Sequence, residues 1–375
     1  MPANDLRDML ALHLIPGLGP RLTAALLERF GSARAVLLAG PQKLRTIPHI
    51  GTKLASELHN AMQQIDVDAE LARIEKGRVR LVVLGTAEYP PSLGEIHDPP
   101  HLLYVRGTIT PDDSKAIGIV GSRQCTSYGK RIAERLAAGL ARAGFTIVSG
   151  LARGIDGVAH RAALEAGGRT IAVLAGGLSS IYPPEHTELA KDIEKAGAIL
   201  TEALMEQQPL PGNFPPRNRI ISGLSRAVIL VEAAEKSGAL ITARHAGEQG
   251  RIVMAVPGPV DQMASGGTNA LIRQGAVLVR NVDDVIEEVQ GLFAGGASTP
   301  IPQTVGTPAP IATGPPPNLD ANQQAVWNFL LGGPRHLDEM VQQLGLSVAQ
   351  LAGILLGLEL KKVIRRLPGN RYEHW

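Results

Sequence analysis

The chain is 375 residues long, enough for two or three domains, and sets 37 Lys and Arg against 35 Asp and Glu. The resulting net charge of +2 excludes bulk attraction for a polyanion, so a nucleic-acid surface would have to come from local clustering. A single cysteine, Cys125, excludes an intramolecular disulfide and a cysteine-built zinc centre and fits a reducing cytoplasm; Met1 to Leu14 lack the basic start and apolar core of a signal peptide, and no run reaches the roughly 18 apolar residues of a membrane span.

Residues 1–70 read as a helical module. Ile15-Pro-Gly-Leu-Gly19 recurs as Ile47-Pro-His-Ile-Gly51, and each copy is followed by apolar residues at helical spacing, Leu22, Ala25 and Leu26, then Leu54 and Leu58. This is the pattern of paired helix-hairpin-helix (SAM-like) units, whose glycines permit a tight turn with backbone N–H groups free to touch a DNA phosphate. A compact helical scaffold with no ligand accounts for it equally well, and the second copy departs from the first in placing His49 where Gly17 stands.

From 75 to 290 the period changes. Eight short β-rich runs, 81–84, 116–120, 146–148, 170–174, 198–201, 227–231, 252–256 and 276–279, alternate with helical patterns. Unbroken apolar runs belong to strands buried on both faces, so the spacing predicts an α/β domain, an extended Rossmann-like and mostly parallel sheet covered by helices. In such sheets ligands sit beyond the carboxyl ends of the strands, which is where the polar motifs of this chain fall.

The run 116–120 is followed by Gly121-Ser122-Arg123, and 146–148 by Ser149 and Gly150, with Arg153 and Gly154 close behind. Glycine after a strand is often only the turn into the next helix, but Arg123 sits where a guanidinium can hold a backbone phosphate bidentately. The segment from Phe214 through Pro215, Pro216, Arg217, Asn218 and Arg219 to Arg226 reads as a loop ahead of the strand at 227–231. Phe214 has a polar, proline-rich address there, which favours stacking on a base over core packing. Arg217 and Arg219 flank Asn218, and one of them would meet ligand and the other a carboxylate, with Glu202 or Glu232 as the partner. Lys236-Ser237-Gly238 then leads into a predicted helix, 239–248, that contains Thr242 and whose first-turn N–H groups suit a phosphate. Ser237 also fits a plain N-cap, a structural use that Lys236 does not share. Asp156 and His160 stand four apart on a predicted helix, but with no third ligand nearby they read as a capping aspartate and a packed histidine rather than a metal pair.

Residues 291–318 turn to Gly, Pro, Ala and Thr with almost no charge and read as a flexible linker. Beyond it, 319–375 shows three helical patterns, 321–331, 336–344 and 347–362, then a hairpin turning at Pro368-Gly-Asn370, which together suggest a winged helix. Lys361, Lys362, Arg365, Arg366 and Arg371 form the densest basic cluster of the chain, suited to duplex DNA through its phosphates or to solvent alone.

Taken together, Gly121-Ser122-Arg123, Ser149-Gly-Leu-Ala-Arg-Gly-Ile-Asp156, Tyr182-Pro183, Phe214-x-x-Arg217-Asn218-Arg219, Ser237-Gly-Ala-Leu-Ile-Thr242 and Val256-Pro257-Gly258 resemble the DNA-processing protein A family (DprA, also called Smf). The resemblance covers about Tyr89 to Glu288, in order and at sensible spacing. It implies a dimeric cytoplasmic protein that binds single-stranded DNA and passes it to the RecA recombinase during natural transformation, with no membrane partner and no catalytic turnover. The nucleic-acid-binding residues it points to are Gly121, Ser122, Arg123, Gly150, Arg153, Phe214, Arg217, Asn218, Arg219, Lys236, Ser237, Gly238 and Thr242.

Two rivals come from other classes. No Gly-x-Gly-x-x-Gly and no Gly-x-x-x-x-Gly-Lys-Ser/Thr occurs, so neither a dinucleotide nor an ATP cofactor is expected. A nucleoside-monophosphate phosphoribohydrolase on a similar Rossmann-like core would carry Pro-Gly-Gly-x-Gly-Thr-x-x-Glu, and the comparable helix start here, Lys236-Ser-Gly-Ala-Leu-Ile-Thr242, has no glutamate in register. A duplex-binding regulator acting through the basic tail would show itself by preferring double-stranded DNA.

Overall fold

The computed structural model describes residues 3–293, 319–331, 333, 335–361, 363–367 and 371–374. The chain divides into two compact units, Met1–Gly296 and Ala297–Trp375.

The larger unit is built on a nine-stranded sheet: β1 (Arg80–Val83), β2 (Leu102–Gly107), β3 (Ala116–Val120), β4 (Thr146–Ser149), β5 (Thr170–Val173), β6 (Ala198–Thr201), β7 (Ala227–Leu230), β8 (Ile252–Ala255) and β9 (Val277–Leu278), in the spatial order β1-β2-β6-β5-β4-β3-β7-β8-β9. All pairings from β6 to β9 are parallel. β2 is the exception, antiparallel to both β1 and β6, and it is the strand the eight predicted runs omit. Its Leu102-Leu-Tyr-Val105 is as apolar as they are and fully buried. Every residue of β3 to β7 is buried, as continuous apolar runs require.

Because successive strand residues face opposite sides, the two faces bury different sets. Ile117, Ile119 and Ile147 pack under Leu136, Leu140 and Ala159 from the helices Ser127–Arg142 and Ile155–Glu165. Val120, Val148 and Ile171 pack under Ile220, Ile221, Ala243 and Ala246 from the helices Phe214–Leu224 and Ala239–Glu248. A third cluster joins the N-terminal helices to the sheet, with Leu10, Leu12, Leu26, Val36 and Leu58 against Leu102, Tyr104 and Ile199.

The internal repeat survives in the backbone. Gly17 has φ 78° and His49 has φ 70°, so the histidine occupies the left-handed turn position that glycine takes in the first copy. The Leu18 and Ile50 N–H groups close the two turns on the Ile15 and Ile47 carbonyls at 3.3 and 3.1 Å. Gly19 and Gly51 then stand at the N-caps of the helices Pro20–Phe30 and Thr52–Met62.

The smaller unit holds the helices Ala321–Leu330, Leu337–Leu344 and Val348–Leu360 over a three-stranded sheet of Arg335–His336, Ile364–Leu367 and Arg371–His374, a winged helix as the pattern predicts. Asp320 with Gln323 and Ser347 with Gln350 form capping boxes, and Val326, Leu330, Met340, Leu351, Leu355 and Ile364 make its core. The predicted turn at 368–370, Lys362 and most of the predicted linker lie outside the described residues.

Candidate nucleic-acid interface

β4, β3 and β7 are adjacent and parallel, so the segments that follow them emerge along one edge of the sheet. The turn after β3 is clamped from two sides. The Ser122 N–H donates to the Glu232 carbonyl at 2.7 Å, and the Ser122 carbonyl accepts from Ile155 N–H at 3.1 Å. Neither neighbour leaves room for a side chain: a Cβ on Gly121 would lie 2.7 Å from Ile155 Cγ1, and one on Gly154, which has φ 73°, would lie 2.1 Å from the Ser122 carbonyl oxygen. The clamp leaves Arg123 exposed beyond the strand end.

The loop expected at Phe214–Arg219 is a helix. Phe214–Leu224 is helical with Pro215 and Pro216 in its first turn, where a missing N–H costs nothing, and its apolar Ile220, Ile221 and Leu224 are buried. Prolines that look like loop formers are here starting a helix. Consecutive helical residues are about 100° apart, so Arg217, Asn218 and Arg219 diverge instead of alternating as they would in an extended segment.

All three are buried. Arg217 Nη1 donates to the Gly150 carbonyl at 2.8 Å and to the Val173 carbonyl, tying the ends of β4 and β5, and a Cβ on Gly150 would come within 2.7 Å of its Nη2. Burial first, and then the nearby Arg123 charge, pull the Arg217 guanidinium down to about 10 against the opposing pull of Asp156, so it stays protonated at neutral pH. Asn218 Nδ2 reaches the Gly238 carbonyl at 3.5 Å. Arg219 is the arginine that meets carboxylates, Glu202 at 2.6 Å and Asp98 at 3.5 Å. Among the described residues Glu232 pairs with no arginine; it accepts from Thr126 N–H at 2.8 Å and Thr126 Oγ1–H at 2.7 Å.

What remains open is a cleft in which aromatic rings and guanidinium groups alternate, lined by Arg123, Arg153, Tyr182, Phe214 and the Arg217 that supports it. The Arg123 guanidinium lies 4.6 Å from the Phe214 ring centroid and that of Arg217 5.7 Å. Tyr182 meets Phe214 edge-on, with centroids 6.2 Å apart and planes at 67°. Arg153 lies 5.8 Å from the Tyr182 centroid and is paired with Glu185. Such a surface offers ring faces to bases and fixed charge to phosphates. Tyr182 is the residue the site prediction omitted, although an aromatic beside prolines in a polar stretch is the same signal that singled out Phe214.

Lys236 stands beyond the next strand along the edge, exposed and without an ion pair among the described residues. Gly238, not Ser237, holds the N-cap of Ala239–Glu248, and Ser237 Oγ accepts from Ala239 N–H at 3.3 Å. Thr242 is buried within that helix and does not line the cleft. Asp156 is buried and accepts from Gly150 and Ala152 N–H at 3.2 and 3.4 Å, and no group of three or more metal-binding side chains occurs among the described residues.

The family model described as DNA recombination-mediator protein A matches residues 80–290, which span the whole sheet, and the DprA winged helix domain matches 310–370. The chain belongs to the DNA recombination-mediator protein A family. One relative matches over nearly the full length: Protein Smf of Synechocystis is 32% identical over 387 residues, 97% of each chain. The crystal structure of DNA processing protein A from Streptococcus pneumoniae aligns with a TM-score of 0.66 at 36% identity, covering 75% of this chain and 97% of that one. DNA processing protein A from Helicobacter pylori, for which a unique single-stranded DNA binding mode is described, aligns at a TM-score of 0.51 and 31% identity over 57% of this chain and 98% of that one.

Proposed function

We propose that this member of the DNA recombination-mediator protein A family binds single-stranded DNA in the cytoplasm, shields it, and helps load RecA during natural transformation and recombination, acting as a homodimer and without chemical turnover. The observation that carries the reading is the Arg123 guanidinium poised 4.6 Å over the half-buried Phe214 ring at the carboxyl edge of a parallel sheet. Arg123, Arg153 and Lys236 hold backbone phosphates and Phe214 stacks a base. Gly121, Ser122, Gly150, Ser237 and Gly238 shape the backbone that presents them, while Arg217, Asn218, Arg219 and Thr242 hold the underlying helices in place. Support for a binding role over an enzymatic one lies in the carboxylates of this edge, since Glu202, Glu232 and Asp156 are all spent on protein partners. The helical part at 1–70 and the winged helix at 319–375 flank the working domain at 75–290, and the winged helix is the place for any contact with duplex DNA.

The test is a salt titration of fluorescence anisotropy on labelled single- and double-stranded oligonucleotides. Arg123→Ala and Lys236→Ala should each weaken single-strand binding on every sequence and lower the slope of log affinity against log salt by about 0.7, the value per phosphate on single strands. Unchanged slopes in folded variants overturn the strand-end site. Loss of the RecA-loading effect alongside binding in Arg123→Glu would tie the two activities together.

A further inference from the structure

We propose that Tyr182 and Arg153 form a second nucleotide subsite beside Phe214 and Arg123, that the strand is held there as a two-nucleotide step with its base stacking broken, and that Glu185 occupies Arg153 until a phosphate replaces it. The inference rests on the single-strand reading above. Its starting point is a repeated unit: each of two rings carries a guanidinium, Arg123 at 4.6 Å from Phe214 and Arg153 at 5.8 Å from Tyr182. A ring for a base and a charge for its phosphate is the equipment of one nucleotide, and it occurs twice in one cleft.

Tyr182 is not part of the hydrophobic core. Tyr89 and Tyr104 are buried at 5% and 0% exposure, whereas Tyr182 is 39% exposed. The two rings meet at 67°. Neighbouring bases in a stacked strand are parallel, so they cannot lie flat on both rings at once, and a strand that engages both must bend between them. A duplex holds its bases parallel by pairing, which excludes it from this cleft without any contact that reads strandedness as such.

Glu185 is placed to compete. Its carboxylate grips Arg153 through two atoms, with the Nη2 contact at 3.1 Å, and both side chains are about half exposed. An exposed ion pair of this kind is weak, and a backbone phosphodiester offers the same bidentate geometry and the same single negative charge, on a strand that Arg123 holds as well. Glu185 thus keeps Arg153 oriented in the free protein and yields it on binding.

The experiment uses the full chain and a labelled oligo(dT). Tyr182→Ala should weaken binding on the order of 10-fold, Tyr182→Phe should restore it, and Glu185→Gln should tighten it roughly two- to fivefold, the range an exposed ion pair represents. A second measurement needs no variant: in an oligonucleotide with two adjacent 2-aminopurines, the exciton-coupled circular dichroism between them should collapse when unmodified protein binds. Wild-type affinity in Tyr182→Ala beside weakened Phe214→Ala overturns the second subsite while the single-strand reading stands. Retained exciton coupling in the complex overturns the bent step, and equal or weaker binding by Glu185→Gln overturns the competition. If Arg123→Ala and Phe214→Ala also bind normally, the single-strand reading fails together with this one.

Discussion

Arg217 shows how a residue chosen for ligand chemistry can belong to the scaffold. Its fork joins carbonyls at the ends of two strands and lies in the field of the buried Asp156. Removing the guanidinium takes a charged donor from two buried strand-end carbonyls, so Arg217→Ala should cost about 2–4 kcal/mol in urea unfolding, and Arg217→Lys should recover little because an ammonium cannot reproduce the fork. Phe214→Ala separates the two roles of its neighbour: it should weaken single-strand binding by roughly 1–3 kcal/mol with almost no change in salt slope, because stacking releases no counterions. His160 sets an acid limit. Thr170 Oγ1 donates to the Ile147 carbonyl and therefore accepts from His160 Nδ1–H at 2.6 Å, which leaves a neutral ring with Nε2 buried and unpartnered. Burial first, then the positive neighbours His186, Arg161 and Arg217, hold its pKa down to about 3 from 6.5. Between those values the unfolded chain binds the proton and the folded one does not, so stability is full above about pH 6.5 and falls as pH drops, by about 1.4 kcal/mol per pH unit for this group. His13 and His101, also depressed chiefly by burial, act in the same direction. Urea midpoints measured from pH 7 to 4 should show this loss, less steep in His160→Gln.

At the level of elements, the site depends on how two helices start. Ile155–Glu165 begins at Gly154, whose backbone crosses the Ser122 carbonyl so closely that no Cβ fits. Gly154→Ala adds both strain at positive φ and that clash, and should cost about 1–3 kcal/mol while displacing the turn that carries Arg123. Single-strand affinity should drop with the arginine still present, a result that anisotropy and thermal unfolding on the same variant would check. The segment 214–224 reads as a loop yet folds as a helix because the effect of proline depends on its position: two prolines break a helix from within but are tolerated in its first turn. The buried face that follows, Ile220, Ile221 and Leu224, carries the helical signal that outweighs them.

On the scale of the whole molecule, the N-terminal helices and the sheet are not separable cores. Leu10, Leu12, Leu26 and Leu58 share one cluster with Leu102, Tyr104 and Ile199. Cutting the chain down to 75–290 would bare those sheet residues, so that fragment should unfold at lower urea than 1–293 or collect in aggregates, despite holding every strand-end motif. Residues 319–375 have a core of their own and should fold alone, by far-ultraviolet circular dichroism and a cooperative melt.

The sequence by itself determined what depends on local pattern. Continuous apolar runs required strands buried on both faces, and that in turn required a parallel sheet with its motifs at one edge. The repeat of Ile-Pro-x-x-Gly marked two equivalent turns, down to a histidine standing in a glycine's conformation. Only the tertiary structure decided which arginine faces what. Arg123, Arg217 and Arg219 carry the same group, and their fates, over a ring in solvent, on strand-end carbonyls, and against Glu202, follow from which strands come to lie side by side. Charge and side-chain type are properties of a residue. Burial and partners belong to the fold, because they are set by residues 17, 44 and 67 positions away, on other elements, that no local window contains.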